Sequence, residues 1–308
     1  MNNQEIKKNI AKMIIKAMEE NGSDFMKSWV QSGMPKNIRG SYYSGINVFN
    51  LWAAKAEYGY GSNTWATFNQ IRKAGGKVTK GEHGHFVQGW FSYEKETILK
   101  NGDIKTDDAL AMKFYKVFNL DQTDLTEKKL NLPDQAVSLI AIDDYIANTK
   151  ADIRYDYLFS GNPESCYYSP DLDFIGMVSK NKFMESDQAT ATENYYSVLL
   201  HELTHWTGHK KRLDRFSNEG DDRSRLPYMR TLSSAYAFEE LIAEIGSAIQ
   251  CCILGLSSGI KPSSAKYLNT WIKEIKKDES TIFHACAKAN QAVRFIEKLQ
   301  KVEDKKVA

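Results

Sequence analysis

Two histidines stand four residues apart in the stretch His201-Glu202-Leu203-Thr204-His205, within a run whose periodicity predicts an α-helix. At that spacing both imidazoles lie on one helix face, one turn apart, where they can share a metal ion. Imidazole suits zinc, and a catalytic zinc site uses three protein ligands so that a fourth position can hold water. Glu202 is placed to accept a proton from that water. The spacing predicts a Zn²⁺ site with His201 and His205 as ligands and Glu202 as general base.

The third ligand must come from elsewhere in the chain, and several side chains are candidates. The metzincin pattern HExxHxxGxxH would place a histidine at position 211, but that residue is Lys211. His209 and Asp214 remain as alternatives close to the motif. A later acid-rich helix presents Glu240 and, one turn further on, Glu244. We expect Glu240 to be the third zinc ligand and Glu244 to orient a ligand histidine from outside the ligand set.

An HExxH sequence also occurs by chance on amphipathic helices that bind no metal. Three neighbouring features favour a metal site here. Thr190 followed by Glu193 predicts a capped start for the helix that carries the motif. The run DFIGMV, residues 173–178, predicts an edge strand before that helix, and the acid-rich helix follows it. A helix, a strand and a second helix are the parts of a zincin cleft.

The elements that must position these side chains form two predicted domains of an α+β protein. The chain turns polar between residues 121 and 135, which marks the boundary. We predict an N-terminal domain over 1–125, a linker over 126–134 and a C-terminal domain over 135–308. The predicted helices cover about 4–21, 47–58, 64–74, 136–149, 190–207, 234–254, 262–277 and 279–301. The predicted strands cover about 80–95, 112–120, 151–158, 165–169 and 172–178, the last two as a hairpin.

Basic residues are concentrated in one part of the chain. The whole sequence has a net charge of +2, yet the segment from Lys27 to Lys80 holds eight Lys or Arg residues and one acidic residue, Glu57. The rest of the chain is therefore net acidic. Such an asymmetry indicates that one part of the protein, and not the whole, meets a polyanion.

Aromatic residues are interleaved with these basic residues. Because basic groups neutralise phosphates and rings stack on unpaired bases, the pattern favours single-stranded over duplex DNA. Tyr42, Tyr43 and Trp65, next to glycines or at a helix start, are the predicted stacking rings. Phe49, Trp52 and Phe68 occupy helical positions and are assigned to the core. The predicted DNA-binding residues are Trp29, Lys36, Asn37, Arg39, Tyr42, Tyr43, Asn47, Trp65, Arg72, Lys73, Lys77 and Lys80.

The composition also indicates where the protein works. The first 20 residues scatter charge among apolar positions, which predicts an amphipathic helix and not a signal peptide. No apolar run approaches the ~18 residues of a membrane span, so we expect no membrane partner. The four cysteines suit neither a disulfide ladder nor a thiolate zinc site. A reducing cytoplasm is the predicted location.

Blocks of residues in both halves resemble one known family in the same order along the chain. In the N-terminal half they are Trp29, Gly33-Met34-Pro35-Lys36-Asn37, Tyr43-Ser44-Gly45-Ile46-Asn47, Trp65-Ala66-Thr67-Phe68, Gly75-Gly76-Lys77-Val78, Lys80-Gly81-Glu82, Val117-Phe118-Asn119 and Asp121-Gln122. In the C-terminal half they are Tyr168-Ser169-Pro170, Asp173, Ile175, the run HELTHWTGH from His201 to His209, and Glu239-Glu240-Leu241-Ile242-Ala243-Glu244. Over nearly its whole length the chain resembles the ArdC-type antirestriction proteins of conjugative plasmids and integrative elements.

The resemblance implies an N-terminal single-stranded-DNA-binding domain joined to a zincin-like metallopeptidase domain. It also implies protection of incoming DNA from the recipient's restriction enzymes, with single-stranded DNA as partner. A host restriction enzyme or another protein is the candidate peptidase substrate, but no recognisable specificity pocket in the sequence identifies it. The chain departs from the family at Ser28-Trp29, where the family tends to place Pro-Trp, and in a longer stretch over 210–233.

Two other functions fit the same residues. The metal site of a DNA-binding protein could be structural or vestigial, with protection by occupancy alone. A regulatory or toxin-like protease could use its basic domain only for localisation. Glu202 favours a hydrolase over a structural site, because a structural metal needs no general base beside its ligand.

Overall fold

The computed structural model describes residues 1–22, 25–98, 104–126, 139–156, 166–186, 189–216, 234–256 and 266–300. Their contacts divide the chain into two compact units, Met1–Asn9 with Pro35–Leu132, and Ile10–Met34 with Pro133–Ala308. The limits 1–125 and 135–308 stay a prediction. The described elements mix helices and antiparallel strands, so the predicted α+β class is confirmed.

Most of the first two helices groups with the second unit and not with the N-terminal one. These helices are α1 (Asn3–Asn21) and α2 (Phe25–Gln31). Both bury an apolar face, which in α2 includes Phe25 and Met26. The backbone carbonyl of Val30 accepts a hydrogen bond of 3.3 Å from the Cys252 thiol of a C-terminal helix. Residues 10–34 therefore lie with the second unit because their buried face packs there.

The first unit is built on a four-stranded sheet in the order β1-β2-β4-β3. Its elements are β1 (Lys36–Asn37), α3 (Ile46–Tyr58), β2 (Thr64–Ala66), α4 (Phe68–Lys73), β3 (His85–Ile98) and β4 (Ile104–Asn119). β1 is parallel to β2, and the other pairs are antiparallel. The predicted helix before Gly59 is confirmed and ends there in a left-handed residue. The two predicted strands are confirmed as β3 and β4, and both extend further towards the turn between them than predicted. All of β3 pairs with residues 104–117 of β4.

The prediction of a single helix over 64–74 is wrong. Thr64–Ala66 is a strand, and the helix starts only after Thr67, which forms a capping box with Gln70. The later start changes which side chains point inward. Trp65 is buried, with 1% of its surface exposed, whereas Phe68 is 51% exposed. The assignment of Trp65 to a DNA surface and of Phe68 to the core is thus reversed.

The second unit joins a small sheet to a set of helices. Its elements are α5 (Leu139–Ala147), β5 (Asp152–Tyr155), β6 (Tyr167–Ser169), β7 (Phe174–Met177), α6 (Ala191–Trp206), α7 (Ser234–Ile253), α8 (Leu268–Lys277) and α9 (Ser280–Leu299). The predicted hairpin is confirmed as the antiparallel pair β6 and β7. The prediction that DFIGMV forms an edge strand is wrong, because β7 lies between β5 and β6 and is fully buried.

Helices α6 and α7 pack closely, and this packing aligns the residues of the predicted metal site. The predicted cap of α6 is confirmed, since Thr190 and Glu193 form a capping box. Along the helix pair, Gln250 Nε2 donates to Thr204 Oγ1 over 3.0 Å. A Cβ atom at Gly246 would lie 2.5 Å from Thr204 Cγ2. Gly246 therefore permits the close approach of the two helices.

Replacing Gly246 with Ala should destabilise the protein, although this change inside a helix ordinarily adds about 0.5–1 kcal/mol of stability. The new methyl group meets the Thr204 side chain, and overpacking of this kind costs about 1–3 kcal/mol. Urea unfolding followed by circular dichroism measures the change. The double variant Thr204→Ala/Gly246→Ala should recover part of the loss, and a stabilised single variant would contradict the close packing.

No helix in the described ranges combines the length and apolar character required to cross a membrane.

Candidate metal centre

Three predicted ligand side chains converge between α6 and α7. His201 and His205 stand one turn apart on α6, and their Nε2 atoms lie 3.2 Å from each other. Glu240 on α7 faces both rings, with one carboxylate oxygen 3.5 Å from His201 Nε2 and the other 3.5 Å from His205 Nε2. All three residues are buried. Within the described part of the chain, this is the one group of three or more His, Cys, Asp or Glu side chains with metal-ligand spacing.

The spacing of these donor atoms fits a small divalent cation. Ligand atoms about 2.0–2.1 Å from a tetrahedral zinc ion lie about 3.3–3.4 Å from one another. The two ring nitrogens are 3.2 Å apart, and each lies 3.5 Å from a different oxygen of Glu240. With one ligand atom taken from each residue, all three lie within 4.8 Å of one another. Two imidazoles and one carboxylate also match the donor set of a catalytic zinc site.

Each histidine has a second carboxylate at its other ring nitrogen. Glu244 Oε1 lies 3.2 Å from His201 Nδ1, and Glu239 Oε1 lies 3.2 Å from His205 Nδ1. A carboxylate at Nδ1 fixes the tautomer and orientation of the ring, which leaves Nε2 as the metal-facing atom. Glu239 has hydrogen-bonding geometry to His205, whereas Glu244 lies at ion-pair distance from His201. The orienting role of Glu244 stays a prediction.

The sequence did not reveal the role of Glu239 or its partner Arg215. Arg215 binds Glu239 with two hydrogen bonds, from Nη2 to Oε1 at 2.7 Å and from Nε to Oε2 at 3.1 Å. Its Nη2 also donates to the Thr204 carbonyl, and its Nη1 donates to Thr207 Oγ1. Arg215 thereby fixes Glu239 to the end of α6. Only the adjacency of Glu239 to Glu240 hinted at this arrangement in the sequence.

We expect Glu239→Gln to weaken zinc binding by about 10–100-fold, because an amide orients the ligand His205 less firmly than a carboxylate does. Glu244→Gln should act similarly through His201. Competition with a chromophoric chelator measures the affinity. Glu185→Gln, at an exposed residue, is the matched control. An affinity of Glu239→Gln within about twofold of wild type would contradict this orienting role.

The electrostatics of the site favour a cation. Burial alone would raise the pKa of the Glu240 carboxyl, but hydrogen bonds with His201 and His205, and their charges, hold that pKa well below its usual value. Burial would lower the pKa of His205, yet Glu239 and Glu240 raise it to about 10. The carboxylates are thus kept ionised and favour positive charge beside them. A divalent metal ion bound between the histidines would supply that positive charge.

The buried charges around the histidines are strongly unequal. Among the described residues, the buried acidic side chains are Glu202, Glu239, Glu240 and Glu244, while Arg215 is the buried arginine or lysine. Burying a charge without compensation is costly. The excess of carboxylates therefore supports a cation-binding role for this part of the second unit.

Glu202 and Tyr236 add two further polar groups to the site. Glu202 follows His201 on α6 and is 1% exposed. Tyr236 stands one turn before Glu240 on α7. Burial raises its pKa, and the charge of Glu240, a hydrogen bond with Glu240 and the charge of Glu202 raise it further. Tyr236 therefore lies within electrostatic reach of both carboxylates, and nothing in its sequence spacing had singled it out.

The two alternative third ligands lie apart from this arrangement. His209 Nδ1 is 3.5 Å from Asp173 Oδ2, and that carboxylate is held by Arg212 and by the hydroxyl of Tyr168. Asp214 is exposed and adopts a left-handed conformation with φ of 49°. Neither belongs to the group that includes His201 and His205.

The predicted DNA-binding cations are mostly exposed. Arg39, Arg72, Lys73, Lys77 and Lys80 are exposed, and Lys36 is half-buried in β1. Exposed cations of this kind can meet phosphates without any change in the fold.

The other predicted DNA-binding residues differ in accessibility. Tyr42 is 40% exposed. Tyr43 is half-buried, and burial with the nearby Tyr115 raises its pKa. The Asn37 side chain accepts hydrogen bonds from two backbone groups of its own turn. The side chain of Trp29 lies outside the described residues.

Two of the DNA-binding predictions need correction. Asn47 holds β3, because its amide group donates to the Gln88 carbonyl over 2.8 Å and accepts from the Gln88 N–H over 2.7 Å. Both polar ends of this side chain are thus engaged within the fold. Trp65 is buried beside Tyr60 and His85, so its ring has no face open to a base.

Comparison with known proteins assigns both halves of the chain to known domain families. A family model described as the N-terminal domain of anti-restriction factor ArdC matches residues 4–119, and a zincin-like metallopeptidase model matches residues 140–288. An uncharacterized protein of Sinorhizobium fredii, y4eC, is 32% identical over 93% of this chain and 90% of its own length. The DNA primase TraC of Escherichia coli is also 32% identical over 93% of this chain, which spans 26% of TraC.

Two crystal structures of the antirestriction protein ArdC from plasmid R388 share the fold. The metal-free structure is 35% identical with a TM-score of 0.73, covering 96% of this chain and 97% of that chain. The Mn(II)-bound structure is 34% identical with a TM-score of 0.69 and the same coverage. Together with the zincin-like domain, the Mn(II)-bound relative implies a divalent metal. Since both domain models match in order and the likeness covers nearly all of that chain, the protein belongs to the ArdC antirestriction family and joins an ArdC N-terminal domain to a zincin-like metallopeptidase domain.

Proposed function

We propose that the protein binds single-stranded DNA through its first unit and is a zinc-dependent peptidase through its second, and that it protects transferred DNA from restriction in the cytoplasm of the recipient cell. The observation that carries the peptidase proposal is the buried group of His201, His205 and Glu240 beside Glu202. A structural metal site needs no general base beside its ligand, whereas a hydrolytic site does, so the position of Glu202 next to His201 supports the peptidase.

In this proposal, His201, His205 and Glu240 hold the zinc ion. A zinc ion in such a site supplies an activated water and polarises a peptide carbonyl. Glu202 accepts the proton of the attacking water and returns it to the leaving amine. Glu239 and Glu244 keep the two imidazoles aligned. Tyr236, hydrogen-bonded to Glu240, holds that carboxylate in place from within the same helix.

The DNA-binding proposal is supported by the exposed cations of the first unit. Arg39, Arg72, Lys73, Lys77 and Lys80 are all exposed in a segment that holds one acidic residue. Each phosphate contact on a single strand contributes about −0.7 to the slope of log K against log salt. Four to six contacts would therefore give a slope of roughly −3 to −4. We expect little base preference, because stacking and phosphate contacts do not read base edges.

Plasmid transfer into two otherwise identical recipient strains, with and without a restriction system, tests the biological role. Wild-type protein should raise transfer into the restricting strain and leave transfer into the other unchanged. Equal effects in both strains would contradict antirestriction. Protection that persists in His201→Ala would instead support DNA occupancy alone as the mechanism.

A further inference from the structure

The long ribbon formed by β3 and β4 has two very different faces near its base, which is the end formed by residues 85–91 and 111–118. Pairing runs from His85 opposite Val117 to Ile98 opposite Ile104, and side chains alternate between the faces. One face turns inward, where Val87 and Val117 are fully buried. The other face carries Phe86, Trp90 and Met112 from the register pairs Phe86–Lys116 and Trp90–Met112, with Phe114 between them. We call this second surface the outer aromatic face.

The outer aromatic face is unusual because the solvent side of an antiparallel sheet is normally polar. Trp90 is 63% exposed, and Phe86 and Phe114 are half-buried. Further along β4, Phe118 contacts the exposed ring of Phe68, with 6.5 Å between ring centroids. The rings thus continue from the ribbon to α4, over a length of roughly 20 Å from Met112 to Phe118.

The outer aromatic face is held rigidly by the neighbouring helix. Asn47 makes two hydrogen bonds to the backbone of Gln88, and Asn50 Nδ2 donates to the Phe86 carbonyl over 2.6 Å. These contacts fix the base of β3 against α3. A surface of rings that is ordered before binding loses less conformational entropy when a ligand stacks on it.

Charge is divided along the ribbon in a way that favours a polyanion at the base. Residues 85–91 and 111–118 contain Lys113 and Lys116 and no acidic residue. Lys116 Nζ lies 5.1 Å from the centre of the Phe86 ring, on the outer aromatic face. Arg72 stands one helical turn after Phe68 on α4. The outer half of the ribbon, residues 92–98 and 104–110, instead carries four acids and two lysines.

We propose that the outer aromatic face is the stacking platform for single-stranded DNA, with Trp90 as its principal ring and Lys116 and Arg72 as phosphate contacts. The inference rests on the proposed DNA-binding function and assigns it to a surface. Exposed rings beside cations are what an unpaired strand requires, since bases stack on the rings and phosphates meet the charges. The outer aromatic face thus has the stacking role that the sequence analysis assigned to Trp65, which is buried.

Fluorescence anisotropy with the full chain and an oligothymidine about 20 nucleotides long tests the platform. Trp90→Ala should weaken binding by about 5- to 150-fold with an unchanged salt slope. Trp90→Phe, which keeps a ring, should retain most of the affinity. Lys116→Ala should make the salt slope shallower by about 0.7. Tyr58→Ala is the control, because Tyr58 is 60% exposed but stacks with Tyr60 and contacts His85 of the inward face.

The outcomes separate the platform from the proposed function. If wild type binds single strands with a steep salt dependence, and Trp90→Ala and Lys116→Ala behave like Tyr58→Ala, the platform is overturned while DNA binding stands. Absence of any single-strand binding by wild type overturns both. Self-association of wild type that Trp90→Ala abolishes, with DNA affinity unchanged, would show that this face joins two copies and would also overturn the platform.

Discussion

Alanine in place of His201, His205 or Glu240 is expected to reduce bound zinc from about one ion per chain to nearly none after dialysis, because only two protein ligands would remain. Elemental analysis of the purified full chain by plasma mass spectrometry measures this. His209→Ala and Asp214→Ala are the matched controls and should retain the metal, since neither side chain belongs to the ligand group.

The ligand experiment can fail in two distinguishable ways. Full zinc retention by both histidine variants would exclude the site between α6 and α7. A greater loss in His209→Ala or Asp214→Ala than in Glu240→Ala would leave the histidines in place and move the third ligand. Repeating the measurement with manganese tests metal preference, because the R388 relative has been crystallised with Mn(II).

Replacing Glu202 with Gln is expected to lower peptide hydrolysis by roughly 10²–10⁴-fold, because an amide cannot accept a proton from the attacking water. Zinc content and single-strand affinity should stay at wild-type levels, since Glu202 is neither a proposed ligand nor part of the first unit. The rate is measured on an unfolded general protein substrate and on a purified restriction enzyme. Glu185→Gln serves as the control for the loss of one carboxylate.

Two results would contradict a hydrolytic role for Glu202. Equal hydrolysis by wild type and Glu202→Gln would mean that the observed activity has another origin. A wild type without hydrolysis, together with full antirestriction by Glu202→Gln in cells, would support a structural metal and protection by occupancy of the DNA.

The sequence predicted those parts of the fold that depend on local signals. The capping pair Thr190 and Glu193 marked the start of α6, and the HExxH spacing set both histidines on one face of that helix. Alternation marked β3, β4 and the β6–β7 hairpin. In each case the signal that predicts the element is local: a pair of capping residues three positions apart, or side chains that repeat every second or every fourth residue.

The failures have a common cause in contacts between distant residues. Thr64 and Thr67 are both residues of a type that can cap a helix. Thr64 is a strand residue because Thr64–Ala66 pairs with β1 on one side and with β4 on the other. Arg215 forms its ion pair with Glu239 across 24 residues of sequence. It follows an irregular turn, where side-chain periodicity gives no prediction of direction. Burial of α2 beside Cys252 likewise depends on a helix more than 200 residues later.

The acidic outer half of the β3–β4 ribbon has a consequence for solubility. A two-stranded ribbon presents backbone groups along both edges, and such edges can pair with another chain and start aggregation. Glu94 lies opposite Asp108 across the ribbon, and Glu96 lies nearby on the same face. Opposed like charges weaken the ribbon slightly. The same charges repel a second ribbon that approaches edge to edge, so the acids protect an otherwise aggregation-prone segment at a small cost in its own stability.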